Sequence, residues 1–264
     1  MNKIILGRAW LLLVTLLSFT VTGYFALYSF ILLDNDYSQV HFNNATLSML
    51  GIEYSVFFLS QALIFCAILC FMKLRYYHEN ILDKFVVSLS CYLAINMSWL
   101  LCGLFDLRLI AVILSGLLVM NCLWIFQILA HNKNDLKDNF PTFYNFLNNA
   151  FCLGFAWNLM IFLLTINYAI FFSLRMSNVW TTAFCLIILI SLNIIGSIAL
   201  ILFKHVLIMA SIIFMEFGLL LFCINDHILI NFIVIAIILN CLILYLSKSS
   251  NRKFKTLLET EFNE

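Results

Sequence analysis

The sequence predicts an all-α protein, a polytopic bundle of transmembrane helices with about eight spans. Three observations carry that expectation. The chain is 64% hydrophobic and only 10% charged, whereas soluble domains carry about 25% charged residues. Its apolar residues gather into stretches long enough to cross a bilayer, separated by short polar breaks. When those breaks are assigned alternately to two sides, the basic residues sort. Lys3, Arg8, Lys73, Arg75, Lys84, Lys133, Lys137, Lys204, Lys248, Arg252, Lys253 and Lys255 fall on one side, and only Arg108 and Arg175 on the other. Cytoplasmic loops attract Lys and Arg, so both termini are expected in the cytoplasm.

The spans are expected near residues 9–33, 54–72, 85–105, 109–130, 150–174, 179–203, 206–224 and 228–246, making 1–247 a single transmembrane domain. Each holds about the 20 residues that cross roughly 30 Å of hydrocarbon. The first follows a basic head but outruns the roughly 7–15 apolar residues of a signal peptide, so it is expected to be retained. The run 179–224 is too long for one crossing and is broken at Lys204-His205, its most polar point. Only Asn225-Asp226-His227 separates the last two spans. Were that pair re-entrant, the count would fall to seven with the C-terminus outside, but the basic cluster Lys248 to Lys255 argues for eight.

Between the first two spans lies the longest outside loop, 34–53, acidic and without a basic residue. Within it Asn44-Ala45-Thr46 fits the glycosylation acceptor pattern, a triplet frequent by chance. The inside loop 131–148 has mixed charges and the chain's one proline, Pro141. With so little Pro, continuous helices are expected rather than the broken ones of many transporters. Residues 248–264 read as a polar cytoplasmic tail, a frayed helix.

Composition also excludes. A mean hydropathy of +1.06 leaves no room for a sizeable aqueous domain. The basic residues are sorted by side rather than pooled, which argues against nucleic-acid binding. The nine Cys have no CxxC or Cys/His metal spacing and read as small apolar packing residues. There is no nucleophile–base pair, paired carboxylate, Walker loop or HExxH motif, and nothing argues for an enzyme. The expected partner is the lipid bilayer.

A charge in the bilayer core is costly and marks function by default. One acidic residue lies near the middle of a span, Glu216 in the seventh. It reads either as a proton or cation site, or as a protonated glutamic acid satisfied by a neighbouring helix. Asn96, Asn121, Asn158, Asn193 and Asn240 are also near mid-depth. Interhelical hydrogen-bond glue is the expected role for most of them, with a polar strip along a cavity as the alternative. Trp10 and Trp180 sit at span ends as interface anchors. Trp99, Trp124 and Trp157 lie deeper, where a tryptophan packs or lines a pocket.

Spans three and four carry a family resemblance. Ser88-Leu89-Ser90, Ile95, Cys102-Gly103, Asp106, Met120 and Gln127 fall at spacings similar to those of the heliorhodopsins, retinal proteins with an inverted, N-inside orientation. Looser matches are Pro141, Gly154, Trp157 and Asn193. The resemblance covers roughly 76–222. It implies a rhodopsin-like fold in the first seven spans and, because such proteins are generally dimers, a homodimer. Together with the mid-depth polar and aromatic residues, the resemblance makes Glu216, Ser88, Trp99, Asn121, Trp157 and Asn193 the candidate pocket or proton-site residues. The family holds retinal on a Lys of its last helix, with a Glu counterion in the third. Here Met215 stands at the Lys position and Val86 at the counterion position, and an eighth span is foreign to the family. Covalent retinal is therefore not expected. The leading expectation is a non-enzymatic sensor or binder of a small apolar ligand. A small proton or solute channel or carrier using Glu216, a retinal photoreceptor if span seven is misplaced, and a scaffold remain open.

Overall fold

A computed structural model describes residues 3–33, 52–73, 79–105, 107–174, 178–203, 205–222 and 227–261. The outside loop with Asn44, the break at Asn225-Asp226 and the side chains of Asp106 and Arg108 lie outside the described residues, as do Lys204 and Arg175. Among the described residues all regular structure is helical: α1 (Lys3–Leu33), α2 (Ile52–Lys73), α3 (Glu79–Leu104), α4 (Arg108–His131), α5 (Lys133–Asn139), α6 (Pro141–Leu174), α7 (Asn178–Phe203), α8 (Val206–Phe222) and α9 (His227–Glu261).

Five of these are long and apolar enough to cross a membrane, through Leu6–Tyr24, Asp83–Cys102, Leu109–His131, Pro141–Ile166 and Ile230–Ser247. Three shorter apolar helices, Val56–Met72, Leu186–Ile201 and Val206–Gly218, lie between them. The chain is thus a helical bundle with the makings of a multi-pass membrane protein.

Several helices extend beyond the expected spans. α1 begins at Lys3 rather than near residue 9. α6 begins at Pro141 rather than near 150, with proline at the first helical position, where its missing N–H costs nothing. The polar residues Asn145, Asn148 and Asn149 therefore belong to a helix, and much of the expected loop is α5 and the first turns of α6. The tail is helical as well, since α9 continues through Glu261.

α6 is the centre of the bundle. It packs on α2, α4, α7 and α8, and 72% of the window Pro141–Ile166 is buried. Small residues make this possible: Ala150, Cys152, Gly154 and Ala156 are all buried and let neighbouring backbones close in. A Cβ on Gly154 would lie 2.9 Å from Ser60 Oγ and 3.3 Å from the Tyr92 hydroxyl. Aromatic rings fill the remaining space, with Phe71 and Phe85 both 5.7 Å from Phe143 and Tyr92 5.0 Å from Phe151.

The edges of the bundle are apolar outward. α1 packs chiefly on α3 and exposes Leu13, Leu16 and Leu17. α9 packs on α7 and α8 and exposes Ile235, Ile238, Leu239 and Leu242. Contiguous apolar surface of this kind suits lipid rather than water. Hydroxyls along the helices turn back to the preceding turn, as Thr15 does to the Leu11 carbonyl and Thr165 to that of Ile161, both at 2.6 Å.

A buried carboxyl in the seam of three helices

α8 has two inward faces, and adjacent residues divide between them. Met215 and Ile212 belong to the main core formed with α6 and α2. The next residue, Glu216, is turned by about 100° on a helix of 3.6 residues per turn. Its carboxyl lies instead between α7 and α9, where it is 1% exposed. Apolar side chains close this second seam: Leu189, Ile233 and Ile237 are buried together, with Ile213 and Leu220 packed on them.

Both carboxyl oxygens are held. Asn193 of α7 donates from Nδ2 to Oε1 at 2.9 Å. Asn240 of α9 donates from Nδ2 to Oε2 at 2.9 Å. The two amides are not equivalent. Asn193 Nδ2 also donates to the Leu189 carbonyl at 2.7 Å, which fixes its orientation. Asn240 is fully buried, and its Oδ1 has no protein partner. One turn along α7, Gly196 brings the seam together, because a Cβ there would collide with the Ile212 side chain.

A carboxyl in this setting accepts two amide hydrogen bonds and no cation. Among the described residues no Lys, Arg or His bonds to it. Nor do the described residues contain a group of three or more His, Cys, Asp or Glu able to hold a metal. The arrangement can hold charge by hydrogen bonds alone, or bind a proton in a water-poor environment.

The other predicted site residues lie elsewhere. Asn193 is brought to Glu216, but Ser88, Trp99, Asn121 and Trp157 are not. Trp157 is buried in the main core, 5.4 Å from the Phe57 ring. Ser88, also buried, gives its hydroxyl to the Phe85 carbonyl at 3.3 Å. Trp99 and Asn121 are each 8% exposed, and Asn121 Oδ1 is buried without a protein partner. Of the other tryptophans, Trp10 is exposed on α1 and Trp124 is exposed on α4. Val86, half-buried on α3, packs 3.7 Å from where a Cβ on Gly7 would be.

At a second polar centre Asn158 makes an interhelical tie of the kind expected of it, with partners the sequence does not single out. Asn158 of α6 donates to the Tyr92 hydroxyl of α3 and to Cys122 Sγ of α4, each at 3.2 Å. Ser60 of α2 donates to the Ala150 carbonyl at 3.0 Å. This tie joins four helices through groups common in cores, and only Asn158 stood out by type. Toward one end of the bundle, Asn148 Nδ2 lies 3.1 Å from His205 Nε2 in the turn between α7 and α8. Burial, and then the positive charge of Lys133, lower the His205 imidazole from its ordinary value of 6.5.

Comparison with known proteins adds no assignment: no protein family, no curated protein and no solved structure matches the chain.

Proposed function

We propose that this chain is a non-enzymatic, multi-pass membrane protein that moves protons or a small solute, with Glu216 as the group that titrates. One observation carries the reading. A carboxyl buried mid-helix is clamped by amides from two other helices rather than neutralised by a cation. Ionisable groups kept inside a membrane at such cost serve proton relays and ion pathways. The clamp ties the carboxyl to the packing of α7 and α9. Both termini in the cytoplasm and eight crossings complete the proposal, supported by the sorting of Lys and Arg along the sequence. The test is flux: in proteoliposomes under an imposed gradient, the wild type carries protons and Glu216→Gln does not.

A second reading keeps the heliorhodopsin-like resemblance and makes the protein a sensor or binder of a small apolar ligand, without covalent retinal, acting as a homodimer. It is favoured by the burial of Met215, at the resemblance's lysine position, in the same apolar core as Trp157. A retinal titration followed by visible absorption tests it. A shifted, hydroxylamine-sensitive band would instead mean a Schiff base and a photoreceptor.

A further inference from the structure

The two amides on Glu216 differ in what they are able to do next, and the difference selects both the bound species and its place. An ionised carboxylate accepts hydrogen bonds from both amides, as the structure shows. A protonated one must donate from one oxygen, and so needs an acceptor there. A half-turn of an amide exchanges its NH2 for its oxygen without a change of shape. Asn193 resists that turn: it would lose the bond to the Leu189 carbonyl and set two oxygens against each other. Asn240 does not resist. Its Nδ2 bonds only Glu216 and its Oδ1 has no protein partner, although the residue is fully buried.

We infer that the species bound at this site is a proton, carried on Oε2 of Glu216, with the Asn240 amide turning over to accept the new O–H while Asn193 remains on Oε1. The inference rests on the reading of Glu216 as the titrating group and goes further by naming what it takes. The step is a simple transfer. A hydronium ion gives up a proton and leaves as water, an O–H bond forms on Oε2, and the Asn240 Nδ2 bond is replaced by one from that O–H to Asn240 Oδ1. One freely turning amide supplies one acceptor, which suits a proton. A hard metal cation takes about six or more oxygens, which this seam does not offer.

Among the described residues no other titratable group bonds the carboxyl. The described titratable side chains on the helices packed against α8 are Cys66 and Cys70 of α2, Tyr144 and Cys152 of α6, and Cys241 and Tyr245 of α9. None of them bonds to Glu216, and α7 has no titratable side chain among its described residues. The opening and closing of one amide bond on α9 is thus the event that a change of protonation transmits to its neighbours.

Infrared spectroscopy of the full chain in lipid tests this, with the protonated carboxyl band assigned by its loss in Glu216→Gln. With the proton on Oε2, the carbonyl oxygen is Oε1, which Asn193 hydrogen-bonds. The acid O–H then bonds the Asn240 amide oxygen and lowers that amide's C=O stretch on protonation, a shift that Asn240→Leu or the milder Asn240→Ala removes and that Asn193→Leu or Asn193→Ala keeps. The reverse pattern would put the proton on Oε1 and overturn the assignment. Exchanging sodium or potassium for choline at fixed pH leaves the band in place. Its removal by sodium or potassium in the wild type would make the site a metal-cation site. Absence of a Glu216 acid band at every accessible pH would overturn the inference altogether. Absence of proton flux together with the predicted band pattern would instead overturn the transport reading and leave the proton's place intact.

Discussion

Asn240 on α9 reaches Oε2 of Glu216 on α8 at 2.9 Å, so α9 supplies half of the clamp on the one buried carboxyl among the described residues. α9 otherwise touches the bundle through apolar side chains, and only 17% of its window Ile230–Ser247 is buried. A polar bond made by so exposed a helix fixes its register. Replacing Asn240 with Leu is expected to destabilise the protein by about 1–3 kcal/mol, because a buried acceptor loses its partner. Reversible unfolding in mixed micelles measures it. An unchanged or raised stability would show that the bond contributes nothing to holding α9.

Gly196 sets the distance between α7 and α8 one turn from Asn193. Gly196→Ala sets its new methyl against the terminal methyl of Ile212, which must turn aside, at an expected cost of about 0.5–1.5 kcal/mol for the shifted rotamer. Gly23 offers the contrast, since a Cβ there meets nothing within 4 Å. Gly23→Ala is expected to leave stability unchanged or raise it by up to about 1 kcal/mol, alanine being the better helix former. The companion change Ile212→Ala should relieve part of the Gly196→Ala defect. Equal effects of the two glycine changes would contradict the close approach at Gly196.

How much of this was legible in the sequence depends on what each residue needs from its neighbours. Helicity and the apolar edges followed from composition and length alone. Glu216 stood out because a carboxyl inside an apolar run is costly wherever it points. Its orientation was not legible: Met215 and Glu216 are adjacent, and only packing decides which faces the main core. Asn193 and Asn240 were visible as mid-depth amides, but their convergence on one carboxyl depends on three helices being laid side by side. α6 gave no sign of being central, because a helix buried all round has no amphipathic stripe to read. Its early start was missed since Asn145, Asn148 and Asn149 resemble loop residues until the helix is seen to continue past the apolar stretch.

Asn158 tests the second polar centre. Its amide serves Tyr92 and Cys122 together, so Asn158→Leu is expected to cost about 1–2 kcal/mol, within the range of hydrogen bonds between helices in lipid. Tyr92→Phe removes only one of the two bonds and should cost less. The same unfolding measurement ranks them; a larger loss in Tyr92→Phe would show that the tie is held by something other than Asn158.

His205 gives the fold a pH dependence with a definite sign. Burial and Lys133 lower its imidazole in the folded chain, so the unfolded chain binds the proton more readily. The stability that neutral His205 contributes is fully present above its ordinary value of 6.5 and is lost as pH falls through the lower, folded-state value. His205→Gln should therefore flatten the stability profile below about pH 6.5, the ordinary histidine value, and leave its shape above that unchanged. Parallel profiles for wild type and variant across that range would remove His205 as the cause.

The central claim is that Glu216 takes up and releases the proton that the protein moves. It is tested most directly by the rate at which a pH-sensitive dye inside proteoliposomes responds to an imposed gradient, compared among wild type, Glu216→Gln and the exposed α9 variant Leu242→Ala. The account predicts flux above that of empty liposomes for wild type and Leu242→Ala, and a fall to the empty-liposome rate for Glu216→Gln. Equal flux in wild type and Glu216→Gln, or none in the wild type, would contradict it.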